Sequence, residues 1–140
     1  MKIFVHNATS LSQYKKQIEK TVSLIEARLC ADFSGLRIDL GKNESRIYFG
    51  CATRTRVYLN SAYTEDLETI IATLIHELVH VWQFATGRLS RTASGKGFKW
   101  QGEYRAKWMK NELLSPWEIE AVVKTNQFFD EVFEEIKKIN

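Results

Sequence analysis

Cysteine is scarce in this chain: Cys30 and Cys51 stand alone, with no CxxC spacing. That scarcity argues against both a zinc ribbon and a disulfide scaffold, and fits a reducing cytoplasm. Long apolar runs are missing as well, and no stretch approaches the roughly 20 residues that cross a bilayer. The opening Met1-Lys2-Ile3-Phe4-Val5-His6 turns polar after three apolar residues, so no secretory leader is expected there. Without a leader, the acceptor-like triplets Asn7-Ala8-Thr9 and Asn43-Glu44-Ser45 read as chance matches. Internal repeats and low-complexity linkers are absent too. What is present is a globular composition: 140 residues, 44% hydrophobic and 12% aromatic, with a formal net charge of +3. That length suits one domain spanning residues 1–140 around one core, without room for a second module.

Histidine is nearly as rare, three in all, and two of them fall in His76-Glu77-Leu78-Val79-His80. On a helix, four residues place the two imidazoles about 40° apart and about 6 Å along the axis, so both reach one cation. Zn²⁺ takes imidazole nitrogen at roughly 2.0–2.1 Å, and a catalytic site keeps three protein ligands and a water. Glu77 lies about 100° round from His76, badly placed as a ligand but well placed to take a proton from that water as general base. The flanks support a helix. Thr64-Glu65-Asp66 offers a cap and acidic first turn, and Leu67, Ile70, Ile71, Leu74, Ile75, Leu78 and Val81-Trp82 form a broad apolar stripe.

Residues 69–83, Thr-Ile-Ile-Ala-Thr-Leu-Ile-His-Glu-Leu-Val-His-Val-Trp-Gln, resemble the active-site helix of the zincin metallopeptidases. The run Ser115-Pro-Trp-Glu-Ile-Glu-Ala121 is similar to the third-ligand helix of small Glu-zincins, including minimal peptidases often found in phage and prophage genomes. A weaker similarity, through His76 to His80 and Gly97-Phe98-Lys99-Trp100, points to SprT-like proteases. SprT-like enzymes would supply a third histidine after the helix and often carry a tail zinc ribbon; this chain has neither. The resemblance implies an α+β minimal zincin with an N-terminal helix, a small three-stranded and mostly antiparallel sheet, the His-Glu-x-x-His helix and a C-terminal ligand helix.

With His6 read as a surface or strand-end residue, the third ligand must be a carboxylate, and Glu103, Glu112, Glu118 and Glu120 lie downstream. Ser115, Pro116 and Glu118 read as a capping box with proline at the first helical position, which gives Glu118 a structural task. Glu120 lies about 200° away round the helix with no capping role, and the family pattern implies the glutamate before alanine as ligand. The expected set is therefore His76, His80 and Glu120, with Glu118 second and Glu103 third.

Leu11, Tyr14, Ile18, Val22, Ile25 and Leu29 are spaced for a helix that starts after Ser10 and ends before Gly35. Leu36–Leu40, Arg46–Phe49 and Arg56–Leu59 read as strands of an antiparallel meander, separated by turn-like 41–45 and 50–53. The metal helix is expected at about 65–86, a Gly-rich basic segment at 87–102, a short helix around 103–113 and a last helix from 116. In that last helix Ile119, Val122, Val123, Phe129, Val132, Phe133 and Ile136 form a stripe expected to pack on the first helix. The resemblance makes Arg56-Val57-Tyr58-Leu59-Asn60 an edge strand able to pair with an extended substrate. Gly87, Gly95, Gly97 and Gly102 suggest a flap in which Tyr104 steadies an oxyanion. Arg88, Arg91, Lys96, Lys99, Arg105, Lys107 and Lys110, interleaved with Trp100, Tyr104 and Trp108, resemble a nucleic-acid surface, although buried aromatics with wet lysines explain the spacing better.

The leading expectation is a soluble cytoplasmic zinc endopeptidase acting on a peptide or protein. The alternative is a binding protein on a zincin scaffold, a phage-encoded antagonist or DNA-associated factor.

Overall fold

The computed structural model describes residues 1–6, 10–45, 47–95, 97–106 and 115–139, with backbone alone at 104–106. A turn of 3-10 helix at Ser10–Tyr14 leads into α1 (Lys15–Leu29), whose Ile18, Val22, Ile25 and Leu29 recur every three or four residues and are all buried. Asp66 starts α2 (Leu67–Ala85), its carboxylate accepting from the Thr69 amide at 3.1 Å. Ile70, Ile71, Leu74, Ile75, Leu78 and Val79 on α2 are fully buried, a spread too wide for a surface helix. It is the central helix, packed against α1, against α3 (Pro116–Lys137) and against the sheet.

That sheet is mixed rather than an antiparallel meander. Its four strands are β1 (Lys2–Val5), β2 (Arg37–Gly41), β3 (Gly50–Ala52) and β4 (Arg56–Asn60), in the order β1-β2-β4-β3. β1 and β4 both pair in parallel with β2, Ile38 facing Ile3 and Val57; β3 alone is antiparallel, Gly50 facing Leu59. The parallel β1–β2 pair needs the α1 crossover between its strands. Alternation then sorts the residues: Ile38, Leu40, Val57 and Leu59 enter the core, while Asp39 lies on the opposite face, where Arg37, Arg56 and His6 contact its carboxylate.

Two expectations about strands need correction. Arg56–Asn60 is interior, between β2 and β3, so the edge on that side of the sheet belongs to β3, as the other belongs to β1. The stretch 47–49 is not a strand, because buried Asn60 captures it. Asn60 Nδ2 donates to the carbonyls of Asn43 (2.9 Å) and Tyr48 (3.1 Å), while its Oδ1 accepts from the amides of Asn43 and Ala62. This clamp delivers the chain into β3 against α2. Gly50 permits the close approach, since a Cβ there would lie 2.9 Å from the Tyr58 carbonyl and 3.0 Å from Thr73 Cγ2.

The Gly-rich basic segment forms a second antiparallel sheet, β5 (Leu89–Arg91), β6 (Gly97–Trp100) and β7 (Glu103–Ala106). Gln101 and Gly102 both have positive φ, 50° and 85°, in the two-residue turn that joins β6 to β7. The helix expected from 103 therefore starts as a strand; residues 107–114 lie outside the described residues. Buried Trp100 packs near Trp117 of α3, with Arg88 5.3 Å from its ring centroid, so it is a packing residue. On α3, Val132 and Ile136 enter the core as expected, but Ile119, Val122 and Val123 are about half exposed. No helix among the described residues is long and apolar enough to cross a membrane.

Candidate metal centre

The third and fourth turns of α2 present His76, Glu77 and His80 toward the first turn of α3. His76 Nε2 and His80 Nε2 lie 3.2 Å apart. Glu118 spans them from α3, Oε2 3.1 Å from His76 Nε2 and Oε1 2.9 Å from His80 Nε2. A tetrahedral zinc ion with ligands at roughly 2.0–2.1 Å holds its donors about 3.3 Å apart. The three separations are close to that, and the donor set of two imidazoles and a carboxylate is one that zinc takes. Two ring nitrogens this close repel each other as bare lone pairs, and a shared cation removes the repulsion. Among the described residues this is the one group of three potential ligands that converge, their donor atoms all within 4.8 Å.

A buried network orients the His80 ring. The amide nitrogen of fully buried Gln83 donates to the Trp117 carbonyl (2.9 Å) and to Glu120 Oε1 (3.1 Å), so its oxygen is left to face His80 Nδ1 at 2.8 Å. Nδ1 is therefore the donor and Nε2 is aimed at the centre, the arrangement that fixes a ligating tautomer. Glu120 in turn accepts from Arg88, whose guanidinium lies 5.1 Å from the Trp82 ring centroid. Glu120 is thus not brought to the histidines; it supports Gln83 from behind, and Glu118 is the carboxylate that meets the two ring nitrogens. Ser115 makes no side-chain cap hydrogen bond, so the capping box that had claimed Glu118 does not form.

Charge is tuned accordingly. Burial would raise the Glu118 carboxyl, but hydrogen bonds from His76 and His80 hold it at about 2, far below the usual carboxylate value. Burial likewise opposes a charged His80, yet the Glu118 carboxylate bonded to it raises its pKa. Glu77 is 7% exposed, and burial pushes its carboxyl above the ordinary range despite the nearby histidines. No hydrogen bond to its side chain is seen among the described residues. A desolvated carboxylate with a raised pKa is a stronger base than one in water.

The centre lies in a cleft between α2, β3 and α3. One cavity of about 910 Å³ runs toward the start of α2, and a second of about 340 Å³ runs toward the hairpin; both are lined by Gly50, His76 and Glu77.

Other candidate residues fall elsewhere. His6 pairs with Asp39 on the far face of the sheet. Glu103 is exposed on β7. The Tyr104 and Arg105 side chains, Lys96, and the segment with Lys107, Trp108, Lys110 and Glu112 lie outside the described residues. Gln83 and Gly50 were missed. A polar residue three positions after His80 in an apolar stripe was a usable signal for Gln83; nothing local marked Gly50 as a close-approach glycine rather than a turn. Comparison with protein-family models, curated proteins and solved structures found no match.

Proposed function

We propose that the chain is a zinc-dependent endopeptidase of the zincin type, with His76, His80 and Glu118 holding the metal and Glu77 as general base. The observation that carries this reading is the donor triangle of tetrahedral-zinc size beside a buried carboxylate with no hydrogen-bond partner among the described residues. Zinc held there would supply Lewis acidity, lowering the pKa of a water toward 7 and polarising a carbonyl. Glu77 takes a proton from the attacking water and returns it to the amide nitrogen as the C–N bond breaks, giving a new carboxylate and a new amine. Gln83 keeps the His80 tautomer fixed throughout. The free edge of β3 beside Glu77 offers backbone donors and acceptors to an extended peptide.

The test is a peptide-library digest read by mass spectrometry, run beside elemental analysis. One zinc per chain is expected, with cleavage that stops on chelation and returns on adding zinc. Glu77→Gln keeps the metal and loses turnover by at least about 10²-fold, the range for a positioned acid–base group. Full activity in a zinc-loaded Glu77→Gln protein would remove Glu77 from this role.

A further inference from the structure

The two arms of the cleft differ in charge. The larger arm is lined by Asp66, Glu68 and Asp130, together with apolar Val122 and Phe129. Among the described residues no lysine or arginine lines it, in a chain whose formal net charge is +3. The smaller arm is lined by aromatic and aliphatic residues, including Phe84, Leu89, Phe98 and Trp117, and among the described residues Arg91 is the one lysine or arginine that lines it, held 5.1 Å from the Phe98 ring centroid. The arms meet at Glu77, whose buried carboxylate opens into both.

β3 gives the cleft a direction. Phe49 and Gly50 line the acidic arm, and Gly50, Cys51 and Ala52 the aromatic one, so the strand runs from acid to aromatic. A peptide added antiparallel to it, the more stable pairing per residue, runs the other way. Its residues before the scissile bond lie against the aromatic arm, and those after it enter the acidic arm. Glu68 stands nine residues before Glu77 on α2, about 13 Å away at 1.5 Å per residue. At about 3.3 Å per strand residue that is about four residues, less the reach of a lysine or arginine side chain.

We propose that the cleft reads charge order in its substrate: an apolar or aromatic residue before the cleaved bond, and a lysine or arginine at roughly the second to fourth position after it. This rests on the hydrolytic reading above. The zinc-loaded full chain, digesting a mixed peptide library, should show basic residues enriched at those positions. A matched peptide with lysine there should be cut about tenfold faster than its glutamate counterpart, the gain expected from two or three partly exposed carboxylates acting together, and the ratio should shrink with added salt. Glu68 and Asp130 are exposed, so the Glu68→Lys, Asp130→Lys double variant should fold, with only the small loss of melting temperature expected from a cation in the first turn of α2, and enrich Asp or Glu at the same positions. Cleavage with no basic enrichment, or with the same enrichment in the double variant, overturns the charge-order proposal and leaves hydrolysis standing. Absence of cleavage by the zinc-loaded protein overturns both.

Discussion

Removing Glu118 should cost far more zinc affinity than removing Glu120, although the two carboxylates are two residues apart on one helix. Glu118 oxygens lie 2.9 and 3.1 Å from the two ring nitrogens, whereas Glu120 touches the centre only through Gln83 and His80. A structural zinc site is worth roughly 10–16 kcal/mol over four donors, so one donor carries about 3–4 kcal/mol, or roughly 10²–10³ in Kd. Outer partners of a ligating histidine typically cost about 10–100-fold. Gln83→Ala belongs in that range, and Glu120→Ala, one link further out, near its lower end of about tenfold. Competition against a chromophoric zinc chelator at fixed pH measures all three, with circular dichroism of the metal-free proteins showing that each still folds. Equal losses for Glu118→Ala and Glu120→Ala, or a larger loss for Glu120→Ala, would refute the ligand assignment.

Asp39 tests the sheet's charged face. Burial alone would raise its carboxyl, but hydrogen bonds from Arg37, His6 and Arg56 bring it down to about 2 from 3.8. A folded-state value below the unfolded one stabilises above pH 4 and loses that contribution as pH falls from about 4 toward 2; the shift amounts to about 2 kcal/mol. Urea midpoints should therefore show Asp39→Asn markedly less stable than wild type at pH 7, with the gap closing by pH 2.5; a gap independent of pH would contradict this. At Gly50 an added methyl meets the Tyr58 carbonyl at 2.9 Å and Glu77 Cγ at 3.3 Å. Gly50→Ala should then cost about 1–3 kcal/mol by denaturant titration and slow turnover, whereas Gly35→Ala, with nothing within 4 Å, should be near neutral. Equal effects at the two glycines would show that β3 yields freely.

The helices were legible because burial repeats every three or four residues along them, and the His76, Glu77 and His80 constellation because helical geometry alone puts those groups together. The sheet was less so. β1 is four residues, mostly exposed, and its parallel pairing depends on a crossover that no local pattern encodes. The alternating Arg46-Ile-Tyr-Phe49 looked like a strand, but Ile47 is 90% exposed and Asn60 bonds the Tyr48 carbonyl. At the site, choosing Glu120 over Glu118 turned on the rotation of α3 about its own axis, which a capping pattern does not fix. In the structure Ala121 is fully buried, and Glu118 shares its face of α3 at i−3 where Glu120 does not. The charge division of the cleft had no sequence signature, because its carboxylates come from the start of α2 and the middle of α3.

The most direct test of the account is an anomalous-difference map at the zinc absorption edge from crystals of the zinc-loaded protein. One peak is expected within about 2.0–2.2 Å of His76 Nε2, His80 Nε2 and a Glu118 oxygen, with Glu120 still on Arg88. A peak elsewhere, or one whose third protein ligand is not Glu118, would contradict it.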